Sequence, residues 1–121
     1  MPDGGALSFL AERVGLARTA ELALLADKLP ATKALSWGLL NAVHPRDDLH
    51  REAVALTERL ATGPTVAYAS TKEALNAAAM SRLDAQLDLE ADLQQRHATT
   101  HDYAEGRAAF VEKRPARFQD R

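Results

Sequence analysis

Apolar residues recur at three- and four-residue intervals along most of the chain, with polar residues between them. Around Leu22, Leu25 and Leu29 this spacing is joined by alanines and few polar residues, which is typical of a buried or interfacial helix. Glycine and proline divide the pattern, since Gly15 is placed to end a first short helix and Pro30 interrupts the second. About six helices are predicted in all.

One segment breaks the helical pattern. Leu39-Leu40-Asn41-Ala42-Val43 follows Gly38, is stopped by Pro45, and is the best strand candidate in the chain. A lone strand leaves its backbone N–H and C=O groups without partners. The predicted fold is therefore mostly α with one short strand, and that strand calls for a sheet or a partner subunit to pair with it.

Composition agrees with helices, because alanine and leucine dominate the 46% of hydrophobic residues and aromatic residues make up only 5%. A net charge of −2 gives no reason to expect nucleic acid or an anionic membrane as a partner. The absence of cysteine excludes disulfides, thiol catalysis and cysteine metal sites. There is no leader segment and no apolar run near the ~18 residues of a membrane span, so we expect a soluble, cytoplasmic chain.

The chain opens on a turn of the kind that presents an acid or a base. Pro2 fixes its own backbone and favours extended geometry beside it, so Asp3 leaves a rigid corner. Gly4 and Gly5 accept positive φ and allow a ligand to approach the backbone closely. Asp3 is therefore a candidate catalytic carboxylate. The alternative is that Asp3 only caps the helix that follows.

Two other motifs are weaker evidence of a functional site. His97 and His101 stand four residues apart, as in zinc-binding helices, but no Glu follows the first His, and Thr99-Thr100 is expected to break the helix there. We therefore predict no metal site. The single tryptophan, Trp37, is predicted to be a core anchor rather than a stacking platform.

Several motifs occur in a recognisable order: PDGGA, RVG, AELALLADKLPATKALSWGLLNAV, GPTVAYASTKEALNAA, LDLEADLQ and HDYAEGRAAFVEKRPARF. The most specific are ALSWGLLNAV and EGRAAFVEKRPARF. In order and spacing they resemble the C-terminal half of the enoyl-CoA hydratase/isomerase (crotonase) superfamily. The resemblance covers nearly the whole chain.

The resemblance implies the C-terminal part of the α/β crotonase (ClpP/crotonase-like) fold. Residues 1–45 would end the core, with the active-site turn, helices and last strand, and residues 46–121 would form a helical region that trimerises and covers CoA. Family members form trimers, often paired as dimers of trimers. Their two oxyanion-hole N–H groups and both hydratase glutamates lie upstream of Met1, so we expect a truncated product. Losing one oxyanion donor typically costs ~10²–10³ in rate.

By the same resemblance, Asp3 matches an aspartate of the dienoyl-CoA isomerase and ring-opened-phenylacetate isomerase branches. There a carboxylate moves a proton beside a thioester enolate. Gly4 and Gly5 correspond to the active-site turn, although Ala6 stands where the family's turn usually has its second glycine. Similar turns also occur in relatives labelled hydratases, so the residues alone leave isomerase and hydratase both open.

Phe110 and Lys113 match residues near the C-terminus of the family that contact CoA. An aromatic ring suits an acyl or pantetheine chain, and an ammonium suits a phosphate. From the residues alone, the alternative is that Phe110 belongs to the core of an amphipathic helix and Lys113 to its solvated end.

The function implied by the resemblance is isomerisation or hydration of acyl-CoA thioesters through a stabilised enolate. The CoA thioester is then the substrate, and no cofactor, metal, nucleic acid or membrane partner is expected. One alternative is a non-catalytic helical oligomerisation fragment, because the Ala- and Leu-rich faces exceed what the chain can bury. Another is a fragment that does not fold independently.

Overall fold

Helices form the regular structure of the part of the chain that is described. The computed structural model describes residues 1–119. Six α-helices occur in this part of the chain: α1 Ala6–Leu25, α2 Ala31–Ser36, α3 Arg46–Ala61, α4 Thr65–Ala79, α5 Leu83–Ala98 and α6 His101–Glu112. The prediction of a mostly helical chain is confirmed, as is the helix break at Thr99-Thr100, which separates α5 from α6.

The predicted strand Leu39–Val43 is wrong, and no strand occurs within residues 1–119. The segment after α2 is turn and irregular backbone. Gly38 takes a φ of 78° and bends the chain, and the Leu39 N–H donates to the Ala34 carbonyl at 3.0 Å. Extended backbone becomes a strand only when a neighbouring segment pairs with it, and the helices described here offer no such edge.

Gly15 divides α1 into two helical parts, as predicted. Its φ of 79° and ψ of 164° lie outside the helical range, in a region that is essentially confined to glycine. The Thr19 hydroxyl donates to the Gly15 carbonyl at 2.9 Å, which gives that carbonyl a partner at the kink. The second part of α1 ends at Leu25, earlier than the predicted Leu29.

The chain divides into two compact units. One unit is Leu7–Arg82. The other, called the turn unit below, joins Met1–Ala6 to the chain from Leu83 onwards. Within the turn unit α5 and α6 contact each other, so the N-terminal turn and the last two helices form one body although they are distant in sequence.

Few apolar side chains are buried in the described part of the chain. There the buried hydrophobic residues are Ala34 and Ala109, whereas Leu24 and Val66 are each 82% exposed. This confirms that the chain carries more apolar surface than it buries by itself. No helix within residues 1–119 combines the length and the apolar character that crossing a membrane requires.

After α6 the chain folds back along the helix. The Arg114 guanidinium donates to both oxygens of Glu105, at 2.6 and 2.9 Å, and to Glu112 at 2.6 Å. The Arg117 N–H donates to Glu105 at 2.8 Å. A bidentate pair of this kind fixes orientation as well as distance. Glu105 therefore holds the start of the C-terminal segment, and Asp102 accepts from the Gln119 N–H at 2.7 Å further along it.

This contact predicts a pH-dependent change. The hydrogen bonds from Arg114, and then that from the Arg117 N–H, lower the pKa of Glu105 from 4.5 to about 2. Because the folded value is the lower one, the stability from this contact is complete above pH 4.5 and is lost as the pH falls towards 2. We expect the Arg117 amide signal in NMR spectra to move in this range. In Glu105→Gln the step should be missing, and an unchanged step would contradict the assignment.

Candidate active-site turn

The turn before α1 is built by two consecutive glycines. Gly4 and Gly5 take φ values of 66° and 79°, which side chains with a Cβ rarely adopt. A Cβ at Gly4 would meet nothing within 4 Å, so the backbone angle and not lack of space requires glycine there. The Ala6 N–H donates to the Asp3 carbonyl at 3.3 Å and closes the turn. The backbone thereby sets where the Asp3 side chain leaves the chain.

Asp3 is exposed, and its carboxylate is held from one side. The Gln94 side-chain amide donates to Asp3 Oδ2 at 3.1 Å and to the Met1 carbonyl at 3.0 Å. Within residues 1–119, Asp3 Oδ1 has no hydrogen-bond partner, and the carboxylate does not cap α1 as the alternative reading had it. A carboxylate with one oxygen fixed and the other open can accept a proton and return it.

Glu90 lies beneath this turn and is only 2% exposed. Its Oε2 accepts from the Gly5 N–H at 2.8 Å, and its Oε1 accepts from the Gln86 side chain at 2.9 Å. Burial of a carboxylate is costly unless its oxygens are hydrogen-bonded, and here both oxygens are. Gly5 is itself buried, so this contact supplies the partner that its N–H needs.

The predicted CoA contacts lie at the end of α6, also in the turn unit. Phe110 is 85% exposed, so the reading of this residue as part of the core is wrong. Lys113 is exposed and ends the helix in the left-handed conformation, with φ 55° and ψ 37°. Arg114 next to it is engaged with Glu105 and Glu112. Of the two adjacent cations, Lys113 is the one whose head group takes part in no ion pair within residues 1–119.

Sequence reasoning missed Glu90 and Gln94. One signal was present, because Glu90 follows Leu83 and Leu87 at helical spacing and so stands on an apolar strip. A carboxylate on such a strip needs a donor from elsewhere in the fold.

The histidine pair and Trp37 lie among side chains that do not form a binding site in the described part of the chain. His101 Nδ1 lies 3.4 Å from Asp102 Oδ1, and the described residues hold no group of three or more His, Asp or Glu placed to bind a metal ion. Trp37 is half-buried, with Arg18 and Lys33 over its ring at 5.0 and 4.5 Å from the centroid. The prediction of a core anchor is therefore met only in part, since the ring is half-buried and lies under two cations.

Comparison with known proteins identifies the family. A family model described as enoyl-CoA hydratase/isomerase matches residues 1–121. The chain is 40% identical over 121 residues to a probable enoyl-CoA hydratase of Rhodobacter capsulatus, covering 100% of this chain and 47% of that protein. It is 40% identical over 118 residues to the 1,2-epoxyphenylacetyl-CoA isomerase of Escherichia coli K12, covering 98% and 45% respectively.

A solved structure agrees with these matches. The crystal structure of an enoyl-CoA hydratase from Mycobacterium avium subsp. paratuberculosis superposes with a TM-score of 0.94 at 44% identity, over 99% of this chain and 49% of that one. The chain thus spans about half the length of the relatives it matches. The family model, the relatives and the superposition all lead to one assignment. The chain belongs to the enoyl-CoA hydratase/isomerase family.

Proposed function

We propose that the protein containing these residues isomerises a carbon–carbon double bond of an acyl-CoA thioester, with Asp3 moving the proton. The observation that carries this proposal is the Asp3 carboxylate, exposed on the two-glycine turn with Oδ2 held by Gln94. A 32% identical Streptococcus mutans relative, named a trans-2-decenoyl-[acyl-carrier-protein] isomerase, supports it, and the E. coli relative is named an isomerase of an epoxyphenylacetyl-CoA. Hydration is the alternative, supported by the R. capsulatus relative named a probable hydratase.

The proposed step needs one base and no cofactor. With a 3-enoyl thioester, Asp3 Oδ1 removes a proton from the carbon next to the carbonyl. The electron pair of that C–H bond forms a double bond to the carbonyl carbon, and the π pair of the carbonyl moves onto its oxygen. The resulting dienolate then takes the same proton back at the fourth carbon, which leaves the 2-enoyl isomer and restores the carboxylate. One positioned carboxylate therefore acts first as base and then as acid.

The thioester oxygen needs donors that stabilise its developing charge. We propose that they are two backbone N–H groups outside these 121 residues, and that residues 1–45 complete the core around them. Residues 46–121 would form the helical region that trimerises and covers CoA. Each donor is worth ~10²–10³ in rate, so full activity is proposed only for the protein as its gene encodes it.

The end of α6 is proposed to receive the CoA moiety. The 85% exposure of Phe110 supports this, because a large apolar ring in water gains free energy when an acyl or pantetheine chain covers it. Lys113 supports it too, since its ammonium takes part in no ion pair within residues 1–119 and can meet a phosphate.

The proposed function is tested by isotope labelling of the full-length protein. It is incubated with a 3-enoyl-CoA in H₂¹⁸O, and the product is analysed by mass spectrometry. We expect the 2-enoyl-CoA without ¹⁸O. A hydratase would instead leave the 3-enoyl-CoA unchanged and would convert a 2-enoyl-CoA, incubated in parallel, into a 3-hydroxyacyl-CoA that carries ¹⁸O. A protein that neither binds nor converts acyl-CoA of any chain length would overturn both.

The binding arm of the same test uses calorimetry with a saturated acyl-CoA, which binds but cannot react. Phe110→Ser and Lys113→Gly should each weaken binding by about tenfold, as expected for loss of about 1.4 kcal/mol. Val111→Ser is the matched control, because Val111 adjoins Phe110 and is 79% exposed. Equal losses in Phe110→Ser and Val111→Ser would contradict a specific role for Phe110.

A second candidate is a helical assembly module without turnover. The exposed apolar residues favour it, since Leu24, Val66 and Phe110 each leave more than four-fifths of their surface in water. Sedimentation and activity distinguish the two functions. The module predicts oligomers that are inactive, whereas the proposed enzyme predicts oligomers that turn over acyl-CoA.

A further inference from the structure

The hydrogen bonds between α5 and the N-terminal turn come from one face of this helix. Gln86, Glu90 and Gln94 are spaced four residues apart, so their side chains lie on one face. Gln94 bonds to Asp3 and to the Met1 carbonyl, Glu90 bonds to the Gly5 N–H, and Gln86 bonds to Glu90. We call these three residues the α5 clamp.

We propose that the α5 clamp positions the Asp3 carboxylate for proton transfer. In this arrangement Gln94 is the positioning residue for the carboxylate, and Glu90 anchors the turn backbone through Gly5. The inference rests on the proposed function of Asp3 and adds the residues through which its geometry is set.

Gln94 has the right chemistry for this role. Its two amide hydrogens reach Asp3 Oδ2 at 3.1 Å and the Met1 carbonyl at 3.0 Å, so the side chain is fixed against both the carboxylate and the backbone before it. Asp3 Oδ1 is then left without a hydrogen-bond partner within residues 1–119. A neutral amide orients a carboxylate without bringing a positive charge, which would weaken that carboxylate as a base.

Glu90 does not compete for the role of the base. It is 2% exposed, and each of its oxygens already accepts a hydrogen bond, from Gly5 and from Gln86. A carboxylate so enclosed cannot reach a substrate carbon. Its geometry fits a different task, which is to hold the Gly5 N–H and with it the path of the turn between Asp3 and α1.

The experiment compares neighbouring glutamines of α5 in the full-length protein. Gln94→Met keeps the side-chain length and removes the donor, whereas Gln94→Glu places a second carboxylate against Asp3. We expect kcat to fall about tenfold in the first and about 100-fold in the second, with KM within about twofold, because misplacement by about 1 Å can cost 10²-fold. Gln95→Met and Gln95→Glu are the matched controls, since Gln95 is exposed and makes no hydrogen bond to the turn within residues 1–119.

Glu90 provides the second pair of variants. Glu90→Gln keeps an acceptor for the Gly5 N–H and should retain kcat within about threefold, whereas Glu90→Met should lose about tenfold or more in variants that still melt cooperatively. Rescue by the glutamine variant separates anchoring of the turn from bulk packing. If Glu90→Met does not fold, the Gln94 pair decides the question alone.

The outcomes keep the two proposals distinguishable. If Asp3→Asn leaves turnover intact, the proposed function of Asp3 fails whatever Gln94 does. If Asp3→Asn abolishes turnover but both Gln94 variants match their Gln95 controls in kcat, the clamp fails and the function of Asp3 stands. A rise in KM with kcat unchanged would also overturn the proposed role of the clamp, since it would show a role in substrate binding and not in positioning Asp3.

Discussion

Asp3→Asn should lower kcat of the full-length protein on a 3-enoyl-CoA by about 10²–10⁴-fold and leave KM almost unchanged. Asparagine has nearly the shape of aspartate, and its side-chain oxygen still accepts from Gln94, so the turn should keep its geometry. What is lost is the ability to accept a proton at the open oxygen. Steady-state kinetics with the purified variant measures both parameters.

The control for this variant is Asp88→Asn, which makes the same chemical change at an exposed position of α5 in the turn unit. It should behave as the unmodified protein. If Asp3→Asn retained more than about a tenth of the original kcat, Asp3 would not be the proton-transfer group. The step would then have to be assigned to another group.

Glu90→Met should destabilise the protein by about 1–3 kcal/mol, because it leaves the buried Gly5 N–H without a partner. The side chains are similar in length, so the variant removes the acceptor without leaving a large cavity. Urea unfolding measures the change in the free energy of unfolding. Hydrogen exchange at the Gly5 amide gives a local reading of the same contact.

Glu90→Gln is the comparison for this second prediction. The glutamine oxygen can accept from the Gly5 N–H while its amide donates to the Gln86 oxygen, so the loss should stay below about 1 kcal/mol. Equal stability of Glu90→Met and the unmodified protein would show that the turn is held by its glycines alone.

Local features of the fold could be predicted from the sequence where a single residue decides them. Gly15 interrupts α1 because only glycine takes that backbone conformation easily, and the leucine spacing marks the helices on either side. The segment Leu39–Val43 was predicted wrongly, because whether extended backbone becomes a strand depends on a partner that lies elsewhere.

In the candidate site, too, local features could be predicted from the sequence and contacts between distant residues could not. Asp3 could be proposed from its place between Pro2 and two glycines, which is local information. Gln94 and Glu90 could not, because their partners are 91 and 85 residues away along the chain. The exposure of Phe110 could not be predicted from the sequence either. The spacing of apolar residues predicts a helix, but it does not say which of these residues another segment covers.

The left-handed lysine at the end of α6 has a consequence for protein engineering. Glycine at such a position commonly stabilises a fold by about 1 kcal/mol, since it has no Cβ to clash with the carbonyl. A programme that selects only for thermal resistance would therefore favour Lys113→Gly. By the proposed function, it would discard the ammonium that meets CoA, and the gain in melting temperature would come with weaker affinity for the substrate.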